Sequence, residues 1–368
     1  MGRTDAVQDA SPRVVIAHDY LTQRGGAERV VLALARAFPA ARIVTSIYNA
    51  ETTYPEFRGV EIETSWLNRV PMFRRDPRVA LPLLPLAWSM MSVTDADVVV
   101  CSSTGWSHGV STTARKIVYC HNPARWLYQR QEYLVGRGWP VRASLGALSP
   151  ALRRWDRWAA RSVDVWLANS SVVGERIQRN YGQRSDVVFP PASIDPKGPF
   201  EPVAGLQPGF LLTVGRVRGY KNTGVLAEAV AAMPGERLVC VGGKPPGDWP
   251  DRVTGLRDIP DSQLRWLYAN ASALLACSFE DFGLTPVEAY SFGTPALVLR
   301  AGGYLDSALP GVAGEFINEL SADAVRDGIR KLRRNRYDCG SILRHAERFS
   351  DAAFTEKVRA CVALTAAA

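Results

Sequence analysis

The stretch that decides the fold is Ser278–Pro295, SFEDFGLTPVEAYSFGTP. A strand-like run, Ala273 to Cys277, enters it and another, Ala296 to Leu299, leaves it. Between them lies a helix with readable ends. Thr285 is a good N-cap, Pro286 suits the first helical position, and Glu288, three residues after Thr285, completes a capping box. Gly293 and Pro295 stop the helix. The loop from Glu280 to Leu284 then sits at the carboxyl end of a strand, against a helix N-terminus whose N–H groups and dipole attract an anion. In an α/β sheet that is where ligands bind. Glu280 and Glu288 bracket this place eight positions apart, and a carboxylate beside an anion site is best used as an acceptor from sugar hydroxyls. A nucleotide sugar offers both groups. As an isolated pair, a helix cap and a solvated loop charge would explain the same two glutamates, so the rest of the chain has to decide.

A chain of 368 residues, 47% hydrophobic and 22% charged, has room for two ordinary domains with cores of their own. Cys101, Cys120, Cys240 and Cys277 fall in or beside apolar runs without a CxxC pair, as buried thiols of a reducing compartment do. The N-terminal decapeptide MGRTDAVQDA has no apolar core of a signal segment, which predicts a cytoplasmic protein. The net charge of +8 is uneven: residues 1–195 hold 24 Lys+Arg against 17 Asp+Glu, and residues 196–368 hold 20 against 19. A basic first half suits an anionic partner, whether membrane surface, lipid-linked phosphate or nucleic acid, and solubility alone would explain it too; nucleic acid is not the expected partner.

From the N-terminus, Arg13 to Ala17 reads as a strand, His18 to Gly26 as a loop, and Ala27 onward as a helix carrying Val30, Val31, Leu34 and Phe38 at helical spacing. The Gly25-Gly26 pair lets backbone approach a ligand but does not make the GxGxxG of a dinucleotide site. Continuous apolar runs at Ile43–Ile47, Val98–Cys101, Ile117–Cys120 and Val165–Ala168, with helical segments between several of them, predict a parallel, doubly wound sheet. Val79 to Val93 is the most apolar run. Interrupted by Pro82 and Pro85, it is too short to span a bilayer. With Arg69, Arg74, Arg75 and Arg78 before it and Trp66 and Trp88 beside it, the run suits either an interfacial segment or, the preferred reading, a helix buried in the first domain. Asp95 and Asp97 precede a strand and read as turn and cap residues rather than metal ligands. His121 ends a strand in YCHNPARW, at a ligand-facing edge.

The proline-rich stretch Val187–Pro202 reads as a linker, after which the strand-loop-helix opening repeats: Phe210 to Val214, then Gly215-Arg216-Val217-Arg218-Gly219-Tyr220-Lys221-Asn222, then a helix. The loop misses GxxxxGK[ST], which argues against a nucleoside triphosphatase. Its two cations divide the work well, Arg216 gripping phosphate with a fork and Lys221 with a point charge. The next strand, Leu238 to Val241, ends in Gly242-Gly243. Three strand-end loops of one domain thus carry glycines, two cations and two glutamates, the inventory of a diphosphate-sugar pocket.

These residues resemble the retaining glycosyltransferases of family 4. The resemblance covers nearly the whole chain and rests above all on the E-x7-E motif from Glu280 to Glu288 and on the Arg216 and Lys221 loop. The HDYLTQRGGAERV and YCHNPARW stretches are similar to bacterial mannosyltransferases of O-antigen and exopolysaccharide assembly. The resemblance implies a GT-B fold of two Rossmann-like domains facing a cleft, over residues 1–195 and 196–349, with residues 350–368 crossing back to the first. It implies that Glu288 holds the nucleotide ribose, Glu280 meets donor-sugar hydroxyls, and Arg216 and Lys221 neutralise the diphosphate. Gly215, Gly242, Gly243 and the N–H groups of Phe282, Gly283, Leu284 and Thr285 would line the donor site, with His121 facing the sugar and Gly25-Gly26 bordering diphosphate and acceptor. The expected reaction is metal-independent transfer of a hexose, mannose from GDP-mannose, to a glycan or lipid-linked acceptor, with no cofactor and with peripheral membrane contact through the first domain. Two other readings stay open: a GT-B enzyme using a UDP-sugar as transferase or epimerase, and a basic binding protein for membrane or anionic polymer.

Overall fold

The computed structural model describes residues 11–130, 134, 138–215, 221–245 and 247–368. They fall into two compact units. The first runs to Asn169 and includes Val173–Val188 and Thr355–Ala368; the second comprises Ser170–Val172 and Phe189–Phe354.

In the first unit the strands are β1 (Val14–His18), β2 (Ile43–Thr45), β3 (Ile62–Thr64), β4 (Ser92–Val93), β5 (Val98–Ser103), β6 (Ser111–Thr112), β7 (Arg115–Cys120), β8 (Val165–Ala168) and β9 (Asp186–Val187). Seven of them form one sheet in the order β3-β2-β1-β5-β7-β8-β9, and β4 and β6 pair separately. Every pairing described is parallel. The central strands β1 and β5 are buried at every position, as expected where helices cover both faces of a sheet. The helix Gly26–Ala37 buries Val30, Val31 and Leu34 of the predicted stripe, whereas Phe38, its fourth member, is the half-buried C-cap beyond the helix end.

The second unit repeats the plan with β10 (Leu211–Val214), β11 (Leu238–Val241), β12 (Val253–Leu256), β13 (Ala273–Ala276), β14 (Ala296–Leu299) and β15 (Gly314–Ile317), in the order β12-β11-β10-β13-β14-β15 and again parallel. Each sheet reverses its winding once, between β1 and β5 and between β10 and β13. A crevice for ligands opens at such a point, beyond the carboxyl ends of the strands.

The chain passes to the second unit after Val188 rather than after Asp195. Phe189 and Ile194 pack into that unit's core with Phe210 and Phe349, so apolar anchors inside the proline-rich stretch set the boundary. At the other end Thr355–Ala368 clusters with the first unit, where Arg359 Nε donates to the Ala37 carbonyl at 2.9 Å. The Val79–Val93 run contains the helix Leu84–Met90, which buries Leu84, Ala87 and Trp88 but leaves Leu86 and Met90 exposed. The preferred burial therefore holds for one side of this helix, and Trp88 is core rather than an interfacial ring. Asp95 and Asp97 pair with Arg42 and Arg13, at 2.8 and 3.0 Å.

One residue that the sequence reading did not single out closes the first switch point. Asp19, directly after β1, is buried, and its carboxylate accepts from the backbone N–H groups of Thr104, Trp106 and Ser107 at 2.6, 3.2 and 2.7 Å and from the Thr104 hydroxyl. It thereby fixes the loop after β5. Three N–H donors to one buried carboxylate make its removal costly: Asp19→Ala should lower unfolding free energy by about 3–5 kcal/mol, read from the urea midpoint, and a loss below about 1 kcal/mol would show that the loop is held by other contacts.

Candidate functional site

At the second switch point the loops after β10 and β13 meet. Lys221 Nζ lies 2.5 Å from Glu280 Oε1, both side chains only 17% exposed. Ser278 Oγ donates to the same carboxylate oxygen at 3.0 Å and lies 3.1 Å from Tyr304 OH. Because the single Ser278 proton goes to the carboxylate, Tyr304 must donate to Ser278. Burial first, and then Glu280, hold the Tyr304 phenol well above its ordinary pKa, so it keeps the proton that this chain requires. Asn222, at φ +54, donates from Nδ2 to the Cys277 carbonyl at 2.8 Å and ties the two loops together. The Lys221 stem runs over Gly215, where an added Cβ would come within 3.0 Å of Cε. Arg216 lies outside the described residues.

The helix after β13 departs from the expected capping box. It spans Leu284–Tyr290 with Gly283 as N-cap and no side-chain cap, which puts Thr285 inside the first turn. Gly283 sits at φ +85, and a Cβ there would meet Tyr304 Cε1 at 2.2 Å. A left-handed glycine under an aromatic ring starts the helix before Thr285. Glu288 is buried, and its Oε2 accepts from Tyr268 OH at 2.6 Å. Its partner is therefore a side chain twenty positions earlier, not its own helix end. Phe282 turns its ring into the core against Phe189 and Phe349, leaving only its backbone for the loop. Gly293, at φ +74, ends the helix as predicted.

The Gly302-Gly303 pair of GGYLDS supports the focal loop from beneath. Gly303 N donates to the Glu280 carbonyl at 2.9 Å, and a Cβ on Gly302 would lie 2.3 Å from that oxygen. Ser170 Oγ donates to the Asp281 carbonyl at 2.5 Å. Gly242 and Gly243 both take positive φ after β11, and the Arg257 guanidinium lies where a Gly243 side chain would be. That brings in a cation the motif reading had missed. No sequence pattern marks Arg257; only the β11–β12 pairing places it there.

The first switch point is lined by polar side chains linked through hydrogen bonds. His18 Nδ1 lies 3.0 Å from the Ser102 carbonyl, which can only accept, so that nitrogen carries the proton. Ser102 Oγ bridges to His121 Nε2 at 2.8 Å. His18, Ser102 and His121 come from β1, β5 and the end of β7, neighbouring strands in register. Burial, and then the nearby His18, push the His121 pKa down to about 3, so its imidazole is neutral at physiological pH. Gly25 is the N-cap of the helix Gly26–Ala37, and a Cβ on it would lie 2.6 Å from Oε2 of the buried Glu28. Gly25 thus accommodates a carboxylate of the helix's own first turn. His108, buried between Ser103 and Asp156, belongs to the core. Among the described residues no group of three or more His, Cys, Asp or Glu could hold a metal ion.

The depressed His121 pKa has a pH consequence. Below the ordinary value of 6.5 the unfolded chain binds a proton that folded His121 refuses until about 3, so stability falls with falling pH across that window. His121→Asn should lessen the fall by up to about 1.4 kcal/mol per pH unit, measured by urea denaturation from neutral to acid pH. Parallel curves for the two proteins would contradict a buried neutral His121.

Residues 24–197 match the family model described as Glycosyltransferase Family 4, and residues 199–355 match the one described as Glycosyl transferases group 1. The human alpha-1,3/1,6-mannosyltransferase ALG2 is 26% identical over 94% of this chain and 94% of its own length. The D-inositol 3-phosphate glycosyltransferase of Corynebacterium glutamicum is 28% identical over 50% of this chain and 52% of its own. Among solved structures, Anabaena HepE in complex with UDP-glucose aligns with a TM-score of 0.66 over 95% of this chain and 99% of its own at 16% identity. Sucrose-phosphate synthase of Thermosynechococcus elongatus aligns with a TM-score of 0.67 over 97% and 100% at 18% identity. Together the two family matches span residues 24–355, and with the two α/β units they identify the chain as a glycosyltransferase of family 4 with the GT-B fold.

Proposed function

We propose that the chain transfers a hexose, mannose from GDP-mannose, to a hydroxyl of a glycan or lipid-linked acceptor in cell-surface polysaccharide synthesis, with retention of configuration and without a metal. The observation that carries this reading is the Lys221–Glu280 pair at the second switch point, held by Ser278 and Tyr304. It puts a cation for a diphosphate and a carboxylate for sugar hydroxyls within one contact of each other. Glu288, buried beside Tyr268, takes the ribose; Arg216 and the backbone N–H groups from Phe282 to Thr285 join Lys221 on the diphosphate. His121, neutral, offers a hydrogen-bonding imidazole to the donor sugar. The likeness to ALG2, named as a mannosyltransferase, supports mannose.

In this reading the acceptor oxygen bonds to the anomeric carbon on the face from which the diphosphate leaves. The carbon–oxygen bond to phosphate breaks, and the acceptor proton passes to the departing phosphate oxygen. Lys221 and Arg216 stabilise the charge developing on that group, an electrostatic contribution that acts on turnover more than on binding. The first unit makes peripheral contact with an anionic membrane, where a lipid-linked acceptor resides.

Thermal unfolding with GDP, UDP and ADP, each with and without EDTA, tests the donor: a ligand that binds only the folded state raises the midpoint. GDP alone should raise it, with EDTA making no difference; a shift with UDP alone would reassign the base, and abolition by EDTA would overturn metal independence. Lys221→Ala and Arg216→Ala should each lower kcat about a hundredfold or more. Unchanged turnover in both would remove them from the mechanism. Glu288→Ala should abolish the nucleotide-dependent shift, and a shift of wild-type size would separate Glu288 from the ribose.

A further inference from the structure

We propose that the outer side of Trp66–Met90 is the surface by which the first unit lies on an anionic lipid bilayer. The inference rests on the membrane contact proposed above and assigns it a place. Six of the exposed large hydrophobic residues described, Trp66, Met72, Val79, Leu83, Leu86 and Met90, fall within this segment. Its short helices Trp66–Arg69, Pro71–Arg75, Pro77–Ala80 and Leu84–Met90 each bury at least one residue inward, Leu67, Phe73, Ala80 and Leu84 among them. The segment is thus firmly packed and not a loose tail.

Leu83, Leu86 and Met90 are spaced three and four apart, which sets them along one stripe of a helical turn, and they are 36, 54 and 64% exposed. A surface helix of a water-facing protein carries charge on its outer side. Here no charged residue occurs from Val79 to Thr94. Charge stands just before that run instead: Arg69, Arg74 and Arg75 are exposed, and Arg78 pairs with Asp76 at 2.7 Å. Residues 65–94 hold four arginines and one acidic residue, Asp76.

The neighbouring helix Trp139–Ala160 extends the same character. Trp155 Nε1 donates to Ser89 Oγ at 3.0 Å, between Leu86 and Met90 in the sequence. One turn on, Trp158 is 58% exposed and lines a groove with Arg154, Arg157 and Arg161. An apolar stripe edged by arginine and tryptophan matches the headgroup boundary of an anionic leaflet: aliphatic side chains enter the acyl region, indole rings sit at the interface, and guanidinium groups meet lipid phosphates. The excess of positive charge selects such a leaflet as occupant, since a second copy of this surface would bring like charges together.

Flotation of the full chain with phosphatidylcholine vesicles, with and without phosphatidylglycerol, tests the assignment. Wild type should float with the anionic vesicles and release as salt rises. Leu86→Asp/Met90→Asp should weaken binding at least about tenfold, and Arg74→Ala/Arg75→Ala by about fivefold per arginine on anionic vesicles only. Both variants should keep the wild-type melting midpoint and its nucleotide-dependent shift, since none of these residues belongs to the donor site. Wild-type flotation unaffected by either double substitution would overturn this surface while leaving membrane contact standing; no flotation of the wild type would overturn both. A concentration-dependent dimer abolished by Leu86→Asp/Met90→Asp would assign the stripe to a second copy and overturn the proposal as well.

Discussion

Lys221 and Glu280 are held 2.5 Å apart with most of their surface removed from water, and much of the second unit's strand-end architecture converges on that contact. Burying two charges costs solvation that mutual attraction only partly returns, so a pair of this kind is poor evidence of a gain in stability. What surrounds it points to positioning. Ser278 and Tyr304 satisfy the carboxylate from one side, Asn222 bridges the two loops, and Gly303 binds the Glu280 carbonyl. Each of these contacts fixes where a charge stands rather than adding apolar burial. Groups fixed before a ligand arrives need not reorganise as charge develops.

The two units solve the same topological problem with different chemistry. At the second switch point the Lys221 and Glu280 side chains face each other; at the first, His18, Ser102 and His121 are linked by hydrogen bonds, and the buried Asp19 is occupied by backbone N–H groups. Burial, and then the nearby His18, keep the His121 imidazole neutral at physiological pH, so it adds no cation there. Charged groups suit phosphate, and neutral polar ones suit hydroxyls.

The parallel sheets were legible because strands covered on both faces leave continuous apolar runs, and β5, β7, β10 and β13 fall where those runs predicted them. The helix after β13 was legible in existence but not in its start. Local rules chose Thr285 as the cap, whereas the turn is set by Gly283 lying under Tyr304, a contact across about twenty residues of sequence that no capping preference encodes. Glu288 shows the same limit: the capping box supplied a local partner, and the fold supplied Tyr268. Asp19 was missed because a lone aspartate after a strand reads as an ordinary turn residue until the loop it binds, 85 positions later, is brought beside it. What sequence pattern conveys well is periodic burial; what it conveys poorly is a polar side chain whose partners arrive through tertiary structure.

The glycines around the focal loop show why motif and geometry agree there despite these errors. Gly302 and Gly303 leave no room for a Cβ against Glu280, Asp281 and Phe282, and Gly283 leaves none against Tyr304. Backbone therefore lies directly on backbone or on an aromatic ring, which fixes the path of the strand-end loop that carries Glu280. The E-x7-E spacing is consequently more than a list of two glutamates: it spans a turn whose path is dictated by close packing, with Glu280 half-buried beside Lys221 and Glu288 buried beside Tyr268. A single substitution on the loop surface would change chemistry without changing this path, while one at a glycine beneath would shift every group at once. The fold is accordingly shared with structures only 16 to 18% identical to this chain, and a shared fold fixes the scaffold rather than the chemistry it carries.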